Sequence, residues 1–239
     1  MLRELTSLAE MFFKEAKAWL AASLFFAVML PIAFVFGFSY IVRGPAIYYL
    51  ISGMMVFDVA VTGMLVVPNS IGWDREDGRL SLMISMGVPL WAYALTSTLV
   101  NNLFAIGSGL LVLGVAVAMR YLAVSLSGLA MLILALLVSS FQGSMVGLLI
   151  ASRIRNLRVL QQVTQIVAFG FSFFAPVYFP LSVVPRYLLP FAMLEPTTYA
   201  AQAIRLSLRG SPASLVWDLG TVVYGAVIAA IVGRLGLKA

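Results

Sequence analysis

The sequence predicts an all-α integral membrane protein with six transmembrane helices, and three observations support this fold class. Hydrophobic residues make up 62% of the 239 residues, whereas charged residues make up only 10%. The mean hydropathy of +1.05 lies far above that of a soluble domain. Apolar stretches long enough to cross a bilayer recur along the whole length and leave no room for a separate soluble domain. We therefore expect residues 1–239 to form a single transmembrane domain.

The six spans follow from a hydropathy window of about 19 residues. Each span must be a helix, because a helix satisfies its own backbone hydrogen bonds where no water is present. The connections on one side carry ten of the 15 lysines and arginines, and those on the other side carry five. The positive-inside rule then places both termini in the cytoplasm. The predicted spans cover residues 19–42, 46–71, 90–119, 122–151, 158–178 and 213–235.

Residues 1–18 have the period of an amphipathic helix. Apolar residues such as Leu5, Leu8 and Phe12 fall on one face, and charged residues such as Lys14 and Lys17 fall around the other. This pattern is typical of a helix that lies in the headgroup region with its lysines against anionic lipid. The alternative is a simple cytoplasmic extension of the first span.

Several classes of chemistry are excluded by composition. Cysteine and histidine are absent, which removes thiolate and imidazole metal sites and every Ser-His or Cys-His nucleophile. We therefore predict no metal site and no catalytic site, since the nine acids lie mostly near the ends of spans. The net charge of +6 is explained by arginines at the ends of spans, so no nucleic-acid partner is expected. The chain also lacks the GxxxxGK[ST] loop that holds nucleotide phosphates.

Asp58 lies near the middle of the second predicted span. A carboxylate at this depth costs about 3 kcal/mol on insertion scales, which the surrounding apolar residues outweigh. Asp58 could line a polar pathway or carry a proton, or it could be a hydrogen-bonded structural residue. We favour the structural role, because a proton relay needs further ionisable groups and we find no second intramembrane acid. The candidate amide partners are Asn101, Asn102, Gln142, Gln161, Gln162 and Gln165.

Small residues recur every four positions on the fourth predicted span, at Ser139, Gly143, Gly147 and Ala151. This spacing forms a ridge that lets helix backbones approach closely. We expect the ridge to pack helices within one subunit rather than to form an interface between subunits.

The connection after the second span reads WDREDGRLSLMISMGVP, at residues 73–89. It places five charges in six residues ahead of an apolar run that begins at Leu80, and Gly87 and Pro89 end it before the third span. We expect a short helix on the membrane surface that presents a charged, partly apolar knob to a protein partner. A solvated loop is the alternative.

This connection resembles the coupling helix in the permeases of type-2 ATP-binding-cassette exporters. In that family a pattern close to ERExGTLExL precedes a proline and docks on the ATPase. Arg79 stands here in place of the family's usual Thr, and Ser81 in place of its usual acid. The resemblance implies that the ATPase contact consists of Asp74, Arg75, Glu76, Asp77, Gly78, Arg79 and Leu80.

A cluster of prolines separates the fifth and sixth spans, where residues 176–196 hold five of the ten prolines. Each proline removes a backbone donor and frees a carbonyl, which hydrocarbon cannot satisfy. The segment must therefore lie against protein or water. A proline-rich external loop is the alternative, but it would expose many apolar side chains.

The same family has a segment similar to SGxxFPxxxLPxxLxxxxxxNPxTYxxxxxR at this place, where it forms re-entrant gate helices at the external end of the pathway. The chain follows this pattern as far as Arg205, with Glu195 where Asn is usual. The resemblance implies that residues 176–205 form the external gate. Its expected residues are Tyr178, Phe179, Pro180, Pro185, Pro196 and Tyr199.

The resemblance implies a transporter permease rather than an enzyme. Two copies of this chain and two ATPase subunits would assemble in the plasma membrane of a prokaryote. ATP and Mg would bind to the ATPase, and no cofactor would bind to this chain. The cargo would be amphipathic or lipid-like. A secondary transporter or channel that uses Asp58 is the alternative function.

Overall fold

The computed structural model of the protein describes residues 44–235, together with positions 10, 11, 13, 14, 29, 33, 36 and 37. Within this part of the chain every regular element is a helix and there is no strand. The predicted interfacial helix at residues 1–18 and the first span at residues 19–42 lie outside the described residues, apart from those positions.

The second predicted span is one continuous helical element. It consists of α1 (Pro45–Val56), a π-helical turn (Phe57–Val61) and α2 (Thr62–Glu76). The element therefore extends beyond the predicted end at residue 71, and the first charged residues of the following connection belong to its last turn. Gly78, which has a φ of 72°, then reverses the chain in a left-handed conformation that favours glycine.

The remaining helices follow in short succession. After α3 (Arg79–Ser85), the long helices α4 (Leu90–Ala118) and α5 (Leu126–Arg153) form a hairpin, and α6 (Leu157–Phe174) follows. A short 3₁₀ turn at Leu181–Val183 then precedes the remaining helices. These are α7 (Leu189–Leu194), α8 (Pro196–Leu208) and α9 (Ser214–Leu235).

Four helices in the described part are long and apolar enough to cross a membrane. They correspond to the predicted second, third, fourth and sixth spans. The predicted fifth span is the 18-residue helix α6, whose three glutamines make it less apolar than these four. The protein is thus a multi-pass membrane protein. The four spans are Ala46–Glu76, Leu90–Ala118, Leu126–Arg153 and Ser214–Arg234.

Two of these helices begin at side-chain caps that the sequence specifies. The Ser125 hydroxyl accepts the N–H of Gly128 at 3.1 Å at the start of α5. The Asn156 side chain accepts the N–H of Val159 at 3.1 Å at the start of α6. Each cap satisfies a backbone donor that has no partner inside the helix, which fixes where the helix begins.

Helix α5 lies at the centre of the bundle, in contact with α2, α4, α8 and α9. Its ridge of small residues packs against the π-helical turn and α2. A Cβ on Gly143 would lie 2.0 Å from the carbonyl oxygen of Ala60, and one on Gly147 would lie 2.7 Å from Cδ of Pro68. The expectation that this ridge packs helices within the subunit is confirmed.

The bundle has two distinct ends. At one end, α6 starts beside the last turns of α2, since a Cβ on Gly72 would lie 2.7 Å from Cδ1 of Leu157. At the other end, α8 finishes beside the start of α5, since a Cβ on Gly128 would lie 2.8 Å from the carbonyl oxygen of Ser207. We refer to these as the α3 end and the α8 end.

Replacing Gly143 with alanine should destabilise the protein. The new methyl group would overlap the Ala60 carbonyl, and overpacking of this kind costs about 1–3 kcal/mol. Gly114→Ala is the matched control, because it gains the same helix propensity at a position with nothing within 4 Å. The thermal midpoint of the purified protein should fall for Gly143→Ala and stay level or rise for Gly114→Ala. Equal midpoints would contradict close backbone contact at Gly143.

Candidate functional site

The charged segment at the α3 end is divided between the interior and the surface. The Asp74 side chain is buried, accepts a hydrogen bond from the Tyr93 hydroxyl and pairs with Arg79, whose Nη1 lies 3.1 Å from Asp74 Oδ1. The Arg75 guanidinium donates to the carbonyl oxygens of Ala151 and Ile154, at 2.9 Å and 3.2 Å. These contacts fix the end of α2 against α4 and against the end of α5.

The surface that remains at this end is acidic and apolar. Glu76, Asp77 and Gly78 are exposed, whereas Leu80 is buried in the core. On α3 and just after it, Leu82 is 61% exposed and Met86 is 74% exposed, and both lie outside the predicted contact residues. Of the predicted contact residues, Glu76, Asp77 and Gly78 therefore lie at the surface, whereas Asp74, Arg75 and Leu80 make contacts within the bundle. Arg79 is partly exposed and pairs with Asp74.

The proline-rich segment penetrates the bundle from the α8 end. The Thr197 hydroxyl donates to the Phe171 carbonyl at 2.8 Å, and the Tyr224 hydroxyl donates to the Leu194 carbonyl at 2.8 Å. Tyr224 lies ten residues into α9, a rise of about 15 Å, which is half the thickness of a hydrocarbon core. Helix α8 then returns to the α8 end, where Gly210 lies against the Ser125 hydroxyl.

The predicted gate residues are placed differently within this segment. Phe179 and Pro185 are exposed, Pro180 and Tyr199 are half-buried, and Pro196 is buried. The Tyr178 ring lies on α1, where a Cβ on Gly53 would lie 2.4 Å from its Cδ1 atom. The Tyr178 hydroxyl shares a hydrogen bond of 3.3 Å with Ser172.

A buried arginine fastens the segment to α1. Arg205, on α8, is only 3% exposed. Its Nε donates to the Ser52 hydroxyl at 3.2 Å, and its Nη2 donates to the Val177 carbonyl. The guanidinium also lies over the Tyr49 ring, 4.9 Å from its centroid. Because one rigid fork reaches two separate elements and an aromatic face, it holds α8, α1 and the start of the proline-rich segment together.

The comparison with protein families matches residues 9–208 to the family model ABC-2 type transporter. The chain belongs to this family. It is a transmembrane component of such a transporter, and components of this kind are generally not catalytic themselves. The search of the curated proteins finds no match. The family match covers every described element from α1 to α8 and ends at Leu208, before α9.

The permease buries Arg205 without a carboxylate partner among its described residues. Burial lowers the pKa of Arg205 to about 10, and the neighbouring Tyr49 and Tyr48 act in the opposite direction. The side chain thus stays charged at neutral pH. Its Nη1 has no hydrogen-bond partner. From the sequence alone, Arg205 counts among the cations outside the membrane. Its hydrogen-bond partners lie 28 and 153 residues away in the chain, so no local pattern reveals its burial.

Glu195 lies within the proline-rich segment, at the junction between α7 and α8. Burial raises the pKa of its carboxyl group to about 7, since one of its oxygens is enclosed without a hydrogen-bond donor. The nearby titratable groups are the hydroxyls of Tyr199 and Tyr224. Neither donates a hydrogen bond to the Glu195 carboxyl group in the described structure. The packed segment therefore favours the neutral form of Glu195.

Asp58 occupies the π-helical turn, and its surroundings differ from the prediction. The expected amide partners are wrong, because none of them hydrogen-bonds to Asp58. Asn102 instead accepts from the hydroxyls of Ser140 and Ser144, at 2.6 Å and 3.0 Å. One Asp58 oxygen is buried without a partner, and Ser108 on α4 lies within hydrogen-bonding reach of the carboxylate. π-helical turns of this kind are frequent at functional sites.

The expectation that no second acid lies within a span is also wrong. Asp218 lies one turn inside α9, only 4% exposed, and neither of its oxygens has a hydrogen-bond partner. It was counted as a residue at the end of a span because it is only four positions after the start of the helix. Among the described residues no group of three acids could hold a metal ion.

Replacing Arg205 with glutamine should release the start of the proline-rich segment. Lost charged hydrogen bonds are worth roughly 1.5–3 kcal/mol, so labelling of a buried cysteine at Val177 should be at least about tenfold faster. Cysteines can be introduced singly, because the chain has none. Arg209→Gln is the matched control, one helical turn away. A reference cysteine at Ala135, deep in α5, must stay unlabelled to show that the fold is intact. An unchanged labelling rate at position 177 would show that Arg205 does not hold the start of the proline-rich segment in place.

The stability of the permease should fall as pH rises from about 5 to about 7. The pKa of Glu195 is about 7 when packed and 4.5 ordinarily, so the folded state binds the extra proton in this window and loses that stabilisation as the pH rises through 7. Glu195→Gln should remove this part of the pH dependence of the thermal midpoint. Glu76→Gln, at an exposed position, should keep it. A wild-type curve identical to that of Glu195→Gln would contradict the assignment.

Proposed function

We propose that this permease is the transmembrane subunit of an ATP-driven exporter, in which two copies form the pathway and a separate ATPase supplies the energy. The proposal rests on one observation, the presence of two different features at opposite ends of one bundle. An exposed acidic turn and a short apolar helix lie at the α3 end. A helical segment broken by prolines penetrates from the α8 end.

The ATPase would dock on the α3 end. Glu76 and Asp77 offer two carboxylates at a tight turn, and Leu82 and Met86 offer apolar contact beside them. A rim of charge around a small apolar centre is the usual composition of a transient protein interface. Because Asp74 and Arg75 tie this end to α4 and α5, a push on α3 would move those helices as a body. ATP and Mg would bind to the ATPase and not to this chain.

The external gate would be residues 176–205. Support comes from the hydrogen bonds of Leu194 to α9 and of Thr197 to α6, and from the Arg205 contacts that hold the segment to α1. Opening would require the guanidinium to leave the Val177 carbonyl, so the segment would move as a unit about its ends.

A second copy of the chain would cover α6. Gln162 and Gln165 are exposed on this helix at membrane depth, beside Phe169 and Phe173. Amides facing lipid are costly, and a neighbouring subunit or a hydrated pathway would satisfy them. The exposed aromatic rings continue in a line from Phe57 to Tyr178, with centroids 6.0–6.3 Å apart. This face would line the pathway between two permeases in a homodimer.

The proposed topology has six spans, with the α3 end and both termini in the cytoplasm. Among the described residues, six arginines lie at the α3 end and four at the α8 end, which agrees in sign with the positive-inside rule. The membrane would be the plasma membrane of a prokaryote, and transport would run outward. The six are Arg75, Arg79, Arg153, Arg155, Arg158 and Arg234, and the four are Arg120, Arg186, Arg205 and Arg209.

The cargo would be amphipathic or lipid-like. An apolar groove of about 810 Å³ lies between α5, α6 and α9, and Tyr199 and Tyr224 line it beside the proposed gate. Hydrocarbon walls with two tyrosine hydroxyls suit a molecule with an acyl part and a polar head.

A secondary transporter remains the second candidate function. The observation that favours it is the pair of acids within spans, Asp58 and Asp218, each with an oxygen that is buried without a partner. An ion-coupled carrier would need at least one of them to titrate and would need no ATPase.

Changing Glu76 and Asp77 together to lysine should abolish co-purification of the ATP-binding-cassette ATPase that is co-expressed with this permease as its partner, or uncouple its ATP hydrolysis from transport. Both side chains are exposed, so the fold should survive the charge reversal. Arg153→Glu with Arg234→Glu reverses as many charges at the same end and should leave the ATPase bound. Normal binding and coupling in the lysine variant would place the contact elsewhere. Transport without any ATPase, abolished by Asp58→Asn or Asp218→Asn, would establish the secondary transporter instead.

A further inference from the structure

A basic pocket opens at the α3 end, beside the surface proposed for the ATPase, and shares Glu76 with it. It has a volume of about 440 Å³ and lies between the last turns of α2 and the connection from α5 to α6. Arg155 and Arg158 are exposed at its edge, and neither forms an ion pair with another described residue. Its charged and polar walls are completed by Arg75, Glu76 and Asn156.

Contacts already described hold part of the pocket wall in place. The Arg75 guanidinium holds the last carbonyls of α5, and Leu157 packs on Gly72. The Asn156 side chain caps α6, and the first two residues of that helix, Leu157 and Arg158, line the pocket. A helix N-terminus between several arginines attracts an anion, whereas like charges held together without one repel each other.

The pocket lies at the level of lipid headgroups. Trp73, next to Gly72 in the pocket wall, is 52% exposed, and Trp91 at the start of α4 is 54% exposed. Exposed tryptophans at the ends of membrane-spanning helices mark the interface between hydrocarbon and water. Basic pockets between helices at this level bind anionic headgroups.

We propose that this pocket binds the phosphate group of an anionic phospholipid. Arg155 and Arg158 contact the phosphate oxygens, and the α6 N-terminus contributes its free N–H groups. The acyl chains extend into the bilayer beside Trp73, which is 52% exposed next to the pocket wall. The site is independent of the cargo pathway and does not need the ATPase.

The test is a titration of the full-length permease in detergent with phosphatidylglycerol, followed by native mass spectrometry. Arg155→Gln with Arg158→Gln should bind the lipid about 30-fold more weakly, because each arginine near a lipid surface contributes to the attraction. Arg155→Lys with Arg158→Lys should keep most of the binding. The matched control is Arg153→Gln with Arg234→Gln, which removes the same charge from the same end outside the pocket and should change little.

Three results would overturn the proposal. Equal binding by the two glutamine pairs would show that the attraction is a property of the whole basic end. Displacement of the lipid by inorganic phosphate at the same concentration would show a site for free anions rather than for a lipid. Loss of the ATPase with unchanged lipid binding in the Arg155→Gln and Arg158→Gln variant would make the pocket part of the protein interface.

Discussion

The close contact between α5 and the element that runs from α1 to α2 determines how the rest of the bundle is arranged. Gly143 and Gly147 bring the α5 backbone against Ala60 and Pro68, at distances that no larger side chain could occupy. In a bilayer the hydrophobic effect does not drive helices together, so dispersion and close approach of backbones must do so. The other long helices pack around this pair, because α5 presents its remaining faces to α4, α8 and α9.

The same contact explains where the membrane domain tolerates polar groups. Buried hydroxyls and amides lie along α4 and α5, where Ser140, Ser144 and Asn102 satisfy one another. Neutral groups on α5, at Ser139 and Gln142, have buried atoms without partners, and charged groups with such atoms lie at the π-helical turn and near the proline-rich segment, at Asp58, Glu195, Asp218 and Arg205. Unsatisfied polar atoms are costly in a low dielectric, so they persist where a structure changes or where a ligand or water completes them.

The sequence predicted the parts of this fold that depend on local composition. Hydropathy located four of the long helices, and the four-residue spacing of small residues identified the packing face of α5. Hydropathy could not show that α2 continues through Asp74 and Arg75, because these charges are stabilised by Tyr93 and by α5 carbonyls up to 79 residues away. For the same reason the sequence alone could not show that Arg205 is buried. Asp218 was missed because one acid near a helix end barely changes a windowed average.

The two ends of the bundle are joined by one continuous element. The end of α2 carries Asp74 and Arg75, which hold α4 and α5, while α1 carries Ser52 and Gly53, which receive Arg205 and Tyr178 from the proline-rich segment. Between them lie the π-helical turn and Pro68, the two places where the regular hydrogen bonds of this element are interrupted. A displacement applied at α3 would therefore reach the Arg205 contacts along a single helical element, which α5 contacts closely at Ala60 in the turn that contains Asp58. In the proposed exporter, the ATPase would then act on the external gate by moving this element and α5 together.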